Sequence, residues 1–184
     1  MEVISIATTV AVPDGAAIAE QLASSLRTEA RGCLQHQIEA SGQMPLETAR
    51  ADGATYSSMN TRGLFNLLRV ANHTAGGAGL WGWSASDGRG SIRRALDFLI
   101  PYATGEMKWP YGQVSDDYTQ AWVGLAPQLR QAYLLTGNAS YEAAIAKLPW
   151  PAGQWPLAWQ QDVSQLLWPA KLAINMRRGK ETVL

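Results

Sequence analysis

The chain is poor in cysteine, histidine and phenylalanine, and this scarcity excludes several kinds of site. Its one cysteine, Cys33, leaves no internal disulfide framework and no metal site built from cysteine pairs. We expect Cys33 to be a small, buried helix residue. The two histidines, His36 and His73, are too far apart in the sequence to have metal-ligand spacing. A glycine motif for nucleotide binding, following a strand, is also missing.

The chain also lacks an excess of charge and a long hydrophobic run. Fifteen basic residues balance fifteen acidic ones, so the net charge provides no attraction to nucleic acid or to an anionic membrane. The longest apolar stretch near the N-terminus, residues 3–12, contains three hydroxyl residues and follows Glu2 instead of a basic segment. We therefore expect a soluble chain with no signal peptide and no transmembrane helix.

Tryptophan and tyrosine are abundant. The chain has eight tryptophans and six tyrosines but only two phenylalanines, so the enriched aromatic residues are those with a polar group. Such rings pack on the apolar C–H faces of sugars, which favours a carbohydrate-binding surface. The same residues are common in protein cores, and composition alone does not separate the two uses.

Hydrophobic spacing predicts an all-α fold in a single domain, residues 1–184. The first helix is expected over residues 15–40, with Asp14 as its cap. Glycine and proline then predict a loop over residues 45–56. The apolar stripe of the first helix consists of Ile18, Leu22, Leu26, Cys33 and Leu34.

A second helix is predicted from Ser57 to the glycines of residues 76–79, and a third helix from a Ser91 cap. Pro101 or Gly105 is expected to end the third helix.

The later part of the chain predicts three more helices. A fourth runs from Asp117 to Tyr133, with Pro127 in its first turn or at a kink, and Gly137 follows its end. A short helix over residues 140–148 and another over residues 162–176 follow. Helices joined by loops rich in glycine, proline and aromatic residues indicate a layered array of helical hairpins.

The densest cluster of polar side chains lies in residues 45–60, PLETARADGATYSSMN. This segment resembles the PLELAR…YS..N motif of the alginate-lyase-like polysaccharide lyases. Five more pieces follow in that family's order: LW at 80–81, DGR at 87–89, SIRRALDFL at 91–99, PYA at 101–103 and WPY at 109–111. The resemblance is best over residues 26–113. It implies an incomplete (α/α) toroid built of antiparallel helical hairpins.

The resemblance also implies a reaction, the β-elimination of a uronate polymer, in which the proton at C5 leaves and the bond from C4 to the glycosidic oxygen breaks. The enzyme must neutralise the sugar carboxylate, accept the proton and protonate the leaving oxygen. A cation near a tyrosine favours the phenolate, which suits both proton transfers. By match to the motif, Tyr56 is the candidate catalytic tyrosine and Arg50 the candidate charge stabiliser. Without the resemblance, a helix cap and a surface contact would explain them.

Four further residues are candidates for substrate binding. Asn60 matches the end of the motif and would supply a hydrogen bond, and Arg62 follows it closely enough to lie near the groove. Trp109 and Tyr111 fall on a predicted loop, where a toroid would present rings to a sugar chain. Packing between helical hairpins explains these two rings equally well, and it does so for Trp81 and Trp83.

Two departures from the family pattern argue for reduced or absent activity. Asp52 stands where many relatives have the second arginine of an Arg-x-Arg arrangement, and an acid there weakens attraction for a polyanion. The family's Asn-His pair lies upstream of the tyrosine motif, in a region that we expect this chain not to contain. His73 follows an asparagine but lies after the motif, where a helix C-terminus accounts for it better.

The sequence therefore predicts a metal-independent, cofactor-free lyase that acts on an acidic polysaccharide such as alginate, and not on nucleic acid or a membrane. The main alternative is a non-catalytic carbohydrate-binding or scaffold domain derived from such a lyase. A third reading is a truncated toroid that self-associates or needs another chain. The resemblance implies a secreted or periplasmic location, whereas the N-terminal sequence predicts no signal peptide.

Overall fold

The computed structural model of the chain describes residues 15–72, 79–115 and 118–151. These residues form seven helices and no strands, so the predicted all-α class is confirmed. The helices are α1 (Gly15–Gln37), α2 (Pro45–Thr48), α3 (Gly53–Asn72), α4 (Ile92–Ala103), α5 (Thr119–Val123), α6 (Ala126–Thr136) and α7 (Ala139–Lys147). None of the described helices combines the length and the apolarity needed to cross a membrane.

Helix α3 is the centre of the array, because it packs against α2, α4, α5 and α6. Its buried residues Leu64, Phe65 and Leu68 belong to the main hydrophobic cluster. Helices α6 and α7 form a hairpin of their own. The packing makes α3 a fixed support for any side chain near its ends.

Helix α4 follows the sequence pattern closely. Its buried positions repeat at intervals of three and four residues, which places them on one face of the helix: Ile92, Ala95, Leu96, Leu99 and Ala103. The predicted cap is confirmed, because the Ser91 hydroxyl accepts a hydrogen bond from the Arg94 N–H at 3.3 Å. Pro101 lies inside the helix, which ends at Ala103, two residues before the positive-φ Gly105.

The predicted loop over residues 45–56 is wrong. Pro45 begins the short helix α2, where its missing N–H is harmless because the first turn has no helical acceptor for it. Helix α3 then begins at Gly53, four residues before Ser57, the predicted start. A turn over residues 49–52 is all that separates the two helices.

The first and fourth helices also differ from their predictions. Helix α1 ends at Gln37, and two residues of its predicted stripe are on the surface: Ile18 is 45% exposed and Cys33 is exposed. The fourth helix is broken at Gly124 into α5 and α6, with Pro127 in the first turn of α6.

The end of α6 matches its prediction. Gly137 has the left-handed conformation (φ 72°) and donates its N–H to Tyr133 O at 2.7 Å. Several other expectations lie outside the described residues: the Asp14 cap, His73, the glycines at positions 76 and 77, the start of the fourth helix at Asp117, and the helix of residues 162–176.

Candidate functional site

The family motif of residues 45–60 forms α2, the turn after it and the first two turns of α3. Arg50 lies in the turn, and Tyr56 lies in the first turn of α3. The tyrosine is held by the helix, since its N–H donates to Asp52 O at 3.0 Å. A residue of the turn and a residue of the helix therefore face each other across the start of α3.

The structure brings the two predicted catalytic residues into contact. The Arg50 guanidinium carbon lies 3.4 Å from the centroid of the Tyr56 ring, a cation–π contact. Arg50 keeps 49% of its side chain exposed, and Glu47 Oε2 lies 3.6 Å from its Nη1. A half-exposed guanidinium with a weakly held acid beside it can exchange that acid for an incoming carboxylate.

The N-terminus of α3 is capped by a distant loop, residues 109–113. Gly53 N–H donates to Gly112 O at 3.0 Å, and Ala54 N–H donates to Gln113 Oε1 at 3.0 Å. The Gln113 amide also donates to Asp52 Oδ1. The first N–H groups of a helix have no acceptor within the helix. Two of them in α3 donate instead to residues that are about sixty positions later in the sequence.

Trp109 belongs to the core. Its side chain is 6% exposed and makes edge contacts with Tyr102 (5.1 Å between ring centroids), Tyr111 (4.9 Å) and Trp122 (5.3 Å). Among the residues that the structure describes, its indole N–H has no hydrogen-bond partner. We therefore keep Tyr111, and not Trp109, as a candidate for direct contact with a sugar.

Tyr111 lies half-buried at the edge of this aromatic cluster. Burial raises the pKa of its phenol above the ordinary value, and the nearby Tyr102 and Glu39 raise it further. The group therefore stays protonated over the usual working range of pH. A neutral phenol can donate a hydrogen bond to a sugar oxygen, but it is a poor base.

Asn60 and Arg62 have different surroundings. Asn60 is one helical turn after Tyr56, and its amide donates to Gln37 Oε1 at 3.4 Å, which ties α3 to α1. Arg62 is six residues after Tyr56, about 240° around the helix. Its Nη2 would lie 3.1 Å from a Cβ at Gly124, so it points to the junction of α5 and α6. The structure does not bring Arg62 to the pair of Arg50 and Tyr56.

The other two loop tryptophans pack against the protein. Trp81 makes edge contacts with Phe65 (5.6 Å) and Tyr141 (6.3 Å). Trp83 lies under the Arg31 guanidinium, 5.7 Å from its carbon. These contacts match the packing interpretation of both residues.

Sequence reasoning missed two residues of this site. Glu47 is three residues before Arg50, and the turn that closes from Arg50 N–H to Glu47 O brings their side chains together, so short sequence spacing could have indicated this ion pair. Gln113 is 61 residues from Asp52, and no local pattern could have linked the two. In the described part of the chain, no three acidic, histidine or cysteine side chains are grouped as a metal ion would require.

Comparisons with known proteins identify the family. The model of the alginate lyase family matches residues 7–109, which is more than half of the chain. The structure is similar to the crystal structure of an alginate lyase from Bacteroides ovatus, with a TM-score of 0.60 and 26% sequence identity. That match covers 82% of this chain and 38% of the other, so the chain spans less than half the length of this relative. A search of curated proteins found no match.

The helical array matches the structure of this solved alginate lyase, which confirms the predicted fold as part of an all-α toroid. The matched range includes the whole PLETARADGATYSSMN segment and ends at Trp109, where the capping loop begins. The chain belongs to the alginate lyase family.

Proposed function

We propose that this chain carries the tyrosine and the arginine of a polysaccharide lyase site that acts on a uronate-containing polymer such as alginate. The observation that carries the proposal is the contact between Arg50 and Tyr56, 3.4 Å from guanidinium carbon to ring centroid, within the family motif. Both residues are accessible, since the Arg50 side chain is half-exposed and Tyr56 keeps part of its surface exposed to solvent. A polymer can therefore reach them without passing through the core.

In the proposed reaction, Tyr56 performs both proton transfers. Its phenolate takes the proton from C5, and the electron pair forms the double bond between C4 and C5 as the bond from C4 to the glycosidic oxygen breaks. The phenol then gives that proton to the leaving oxygen and returns to the phenolate. No metal ion and no cofactor take part.

Arg50 stabilises charge in this scheme. The C5 proton is acidic enough to leave only if the neighbouring carboxylate is neutralised, and a guanidinium is suited to bind a carboxylate through two parallel hydrogen bonds. Glu47 is 3.6 Å away and would have to yield its place to the sugar carboxylate. Tyr111 and Asn60 are the candidates for binding the sugar hydroxyls.

One observation favours the alternative, a carbohydrate-binding domain without turnover. The segment around Arg50 contains two acids, Glu47 and Asp52, against one base. A polyanion is attracted weakly to such a surface, and its carboxylates are neutralised less completely than catalysis requires. Hydrogen bonds and ring stacking would then supply most of the affinity.

The test is the ultraviolet absorbance of the unsaturated uronate product. The purified protein is incubated separately with alginate, polymannuronate and glucuronan, and a rise in absorbance with one of them identifies that polymer as the substrate. Tyr56→Phe should abolish the rise while circular dichroism stays unchanged. A folded wild-type chain that gives no rise with any polymer contradicts the lyase proposal. Retained affinity for a polymer in that case would favour the binding domain.

A further inference from the structure

The start of α3 and the loop of residues 109–113 are joined by one pair of side chains, Asp52 and Gln113. The Gln113 amide donates to Asp52 Oδ1, and its carbonyl oxygen accepts from Ala54 N–H at 3.0 Å. The Gln113 amide therefore donates to a side chain through its nitrogen and accepts from the backbone through its oxygen. We call the pair the Asp52–Gln113 clasp.

The two backbones beside the clasp are very close. A Cβ at Gly53 would lie 3.3 Å from Gly112 O, and a Cβ at Gly112 would lie 3.3 Å from Arg50 O. Both distances are tighter than most real Cβ contacts, so glycine at both positions allows the segments to meet. Because glycines offer no side chains to hold the register, the clasp supplies the specific side-chain contact.

The clasp is centred on the candidate site. Asp52 is two residues after Arg50 and four before Tyr56, and its backbone oxygen accepts from the Tyr56 N–H at 3.0 Å. Gln113 is two residues after Tyr111. A movement at the clasp therefore shifts the turn that carries Arg50 relative to the helix that carries Tyr56.

We propose that Asp52 and Gln113 are positioning residues that hold Arg50 over the Tyr56 ring. Asp52, which stands where the family resemblance implies the second arginine of an Arg-x-Arg arrangement, then binds the protein's own loop instead of a polyanion. As far as it concerns turnover, the inference rests on the proposed function. The geometric part does not depend on turnover.

Exchange of the hydrogen-bonding groups tests the clasp. Gln113→Glu keeps the size of the side chain and the acceptor for Ala54 N–H, but it places a second carboxylate against Asp52. The double variant Asp52→Asn, Gln113→Glu restores a donor opposite an acceptor. Gln120→Glu, on the exposed side of α5, makes the same charge change away from the clasp. Gln113→Ala provides a milder break if Gln113→Glu folds poorly.

The first measurement is the upfield ring-current shift of the Arg50 side-chain protons by nuclear magnetic resonance, with Arg50→Lys for assignment. The shift should shrink in Gln113→Glu and Gln113→Ala, return in the double variant, and stay unchanged in Gln120→Glu. An unchanged shift in folded Gln113→Glu and Gln113→Ala overturns the proposal. So does a lost shift that the double variant does not restore.

The second measurement is turnover of the polymer that the wild-type chain cleaves. Gln113→Glu should lower kcat about tenfold or more, because misplaced reacting groups slow the chemical step, and should change KM much less. The double variant should recover most of kcat. A loss of kcat that the double variant leaves uncorrected counts against positioning. A wild-type chain without turnover overturns the proposed function, and the ring-current shift still decides the geometry.

Discussion

Within residues 15–72, 79–115 and 118–151, two Arg–Tyr pairs differ in how they are built. Arg130 and Tyr133 are three residues apart on α6, with the guanidinium carbon 5.1 Å from the ring centroid. Arg50 and Tyr56 are six residues apart, one in a turn and one in a helix, at 3.4 Å. Helical spacing alone accounts for the contact of Arg130 with Tyr133, whereas the contact of Arg50 with Tyr56 joins a turn to a helix whose start is capped by the loop of residues 109–113. The residue types are the same, and tertiary structure is what makes the second a candidate site.

Each arginine of these pairs also has an acid. Arg130 Nη1 lies 3.0 Å from Glu142 Oε1 on the neighbouring helix α7, and Arg50 Nη1 lies 3.6 Å from Glu47 Oε2. The Arg130 group is thus a surface arrangement that links a helical hairpin. The Arg50 group is held more loosely by its acid and more closely by its ring. This difference makes matched substitutions in the two groups informative.

The largest effect should come from the loop of residues 109–113, which caps the helix that carries Tyr56. Trp109→Ala removes the ring on which Tyr102, Tyr111 and Trp122 pack, and we expect a loss of about 3–5 kcal/mol in the free energy of unfolding. Trp109→Phe should lose much less, because the indole N–H it removes has no partner in the described structure. Urea denaturation measures both. Equal losses would contradict the assignment of Trp109 to the core.

The next effect separates the two arginines. Arg50→Lys keeps the charge but loses the planar guanidinium, so we expect turnover of the uronate polymer to fall by about 10²-fold. Arg130→Lys should leave turnover within about twofold, as expected of an exposed pair away from the site. Initial rates of unsaturated product formation are the measurement. Equal losses in the two variants would remove the distinction between the pairs.

A third tyrosine extends the comparison to the interior. Tyr141 is 3% exposed and donates to Asp97 Oδ1 at 2.9 Å. Burial raises the pKa of Asp97, while the hydrogen bond from Tyr141 and the charge of Arg93 oppose that shift. A raised carboxyl pKa means that this group favours the folded state at low pH and that the benefit is lost as pH rises through the folded pKa.

Tyr141→Phe should therefore destabilise the protein in a pH-dependent way. The lost hydrogen bond is to a carboxylate at neutral pH, so we expect a loss of about 1–3 kcal/mol there. Below the pKa of Asp97, where the partner is a neutral acid, the loss should be smaller. Urea denaturation at neutral and acid pH measures the difference. A loss that does not depend on pH would show that Asp97 does not titrate against this hydroxyl.

The smallest effects separate the two acids. Glu47→Gln frees Arg50 from its neighbouring charge, and at low salt we expect affinity for a uronate polymer to rise by about two- to threefold. Glu142→Gln should leave affinity unchanged and alter the free energy of unfolding by less than about 0.5 kcal/mol. Isothermal titration calorimetry measures the affinities. Weaker binding by Glu47→Gln would mean that Glu47 orients Arg50 for the sugar instead of competing with it.

Local sequence patterns predicted the elements whose determinants are local. The Ser91 cap, the periodic face of α4 and the Gly137 stop each depend on residues within a few positions of one another. The break at Gly124 was missed because the hydrophobic spacing continues through it. The exposure of Ile18 was missed because periodicity does not tell which neighbour a stripe will meet.

The candidate site shows the same limit. The family motif identified Arg50 and Tyr56, and their contact follows from the short turn between α2 and α3. The motif could not reveal Gln113 as the cap of α3, because hydrogen bonds across 61 residues depend on how the loop of residues 109–113 returns. Nor could it place Trp109 in the core, since a loop tryptophan next to a proline is equally typical of a sugar-binding rim.

The most direct test of the account compares Tyr56→Phe with Tyr133→Phe. Each substitution removes one hydroxyl from a tyrosine under an arginine and leaves the ring in place. The rate of unsaturated uronate formation, on the polymer that the wild-type chain cleaves fastest, should fall by about 10³-fold or more in Tyr56→Phe, the range typical of losing a proton-transfer group. In Tyr133→Phe the rate should stay within about twofold of the wild-type rate. Full activity in Tyr56→Phe would contradict the central claim that this hydroxyl moves the proton.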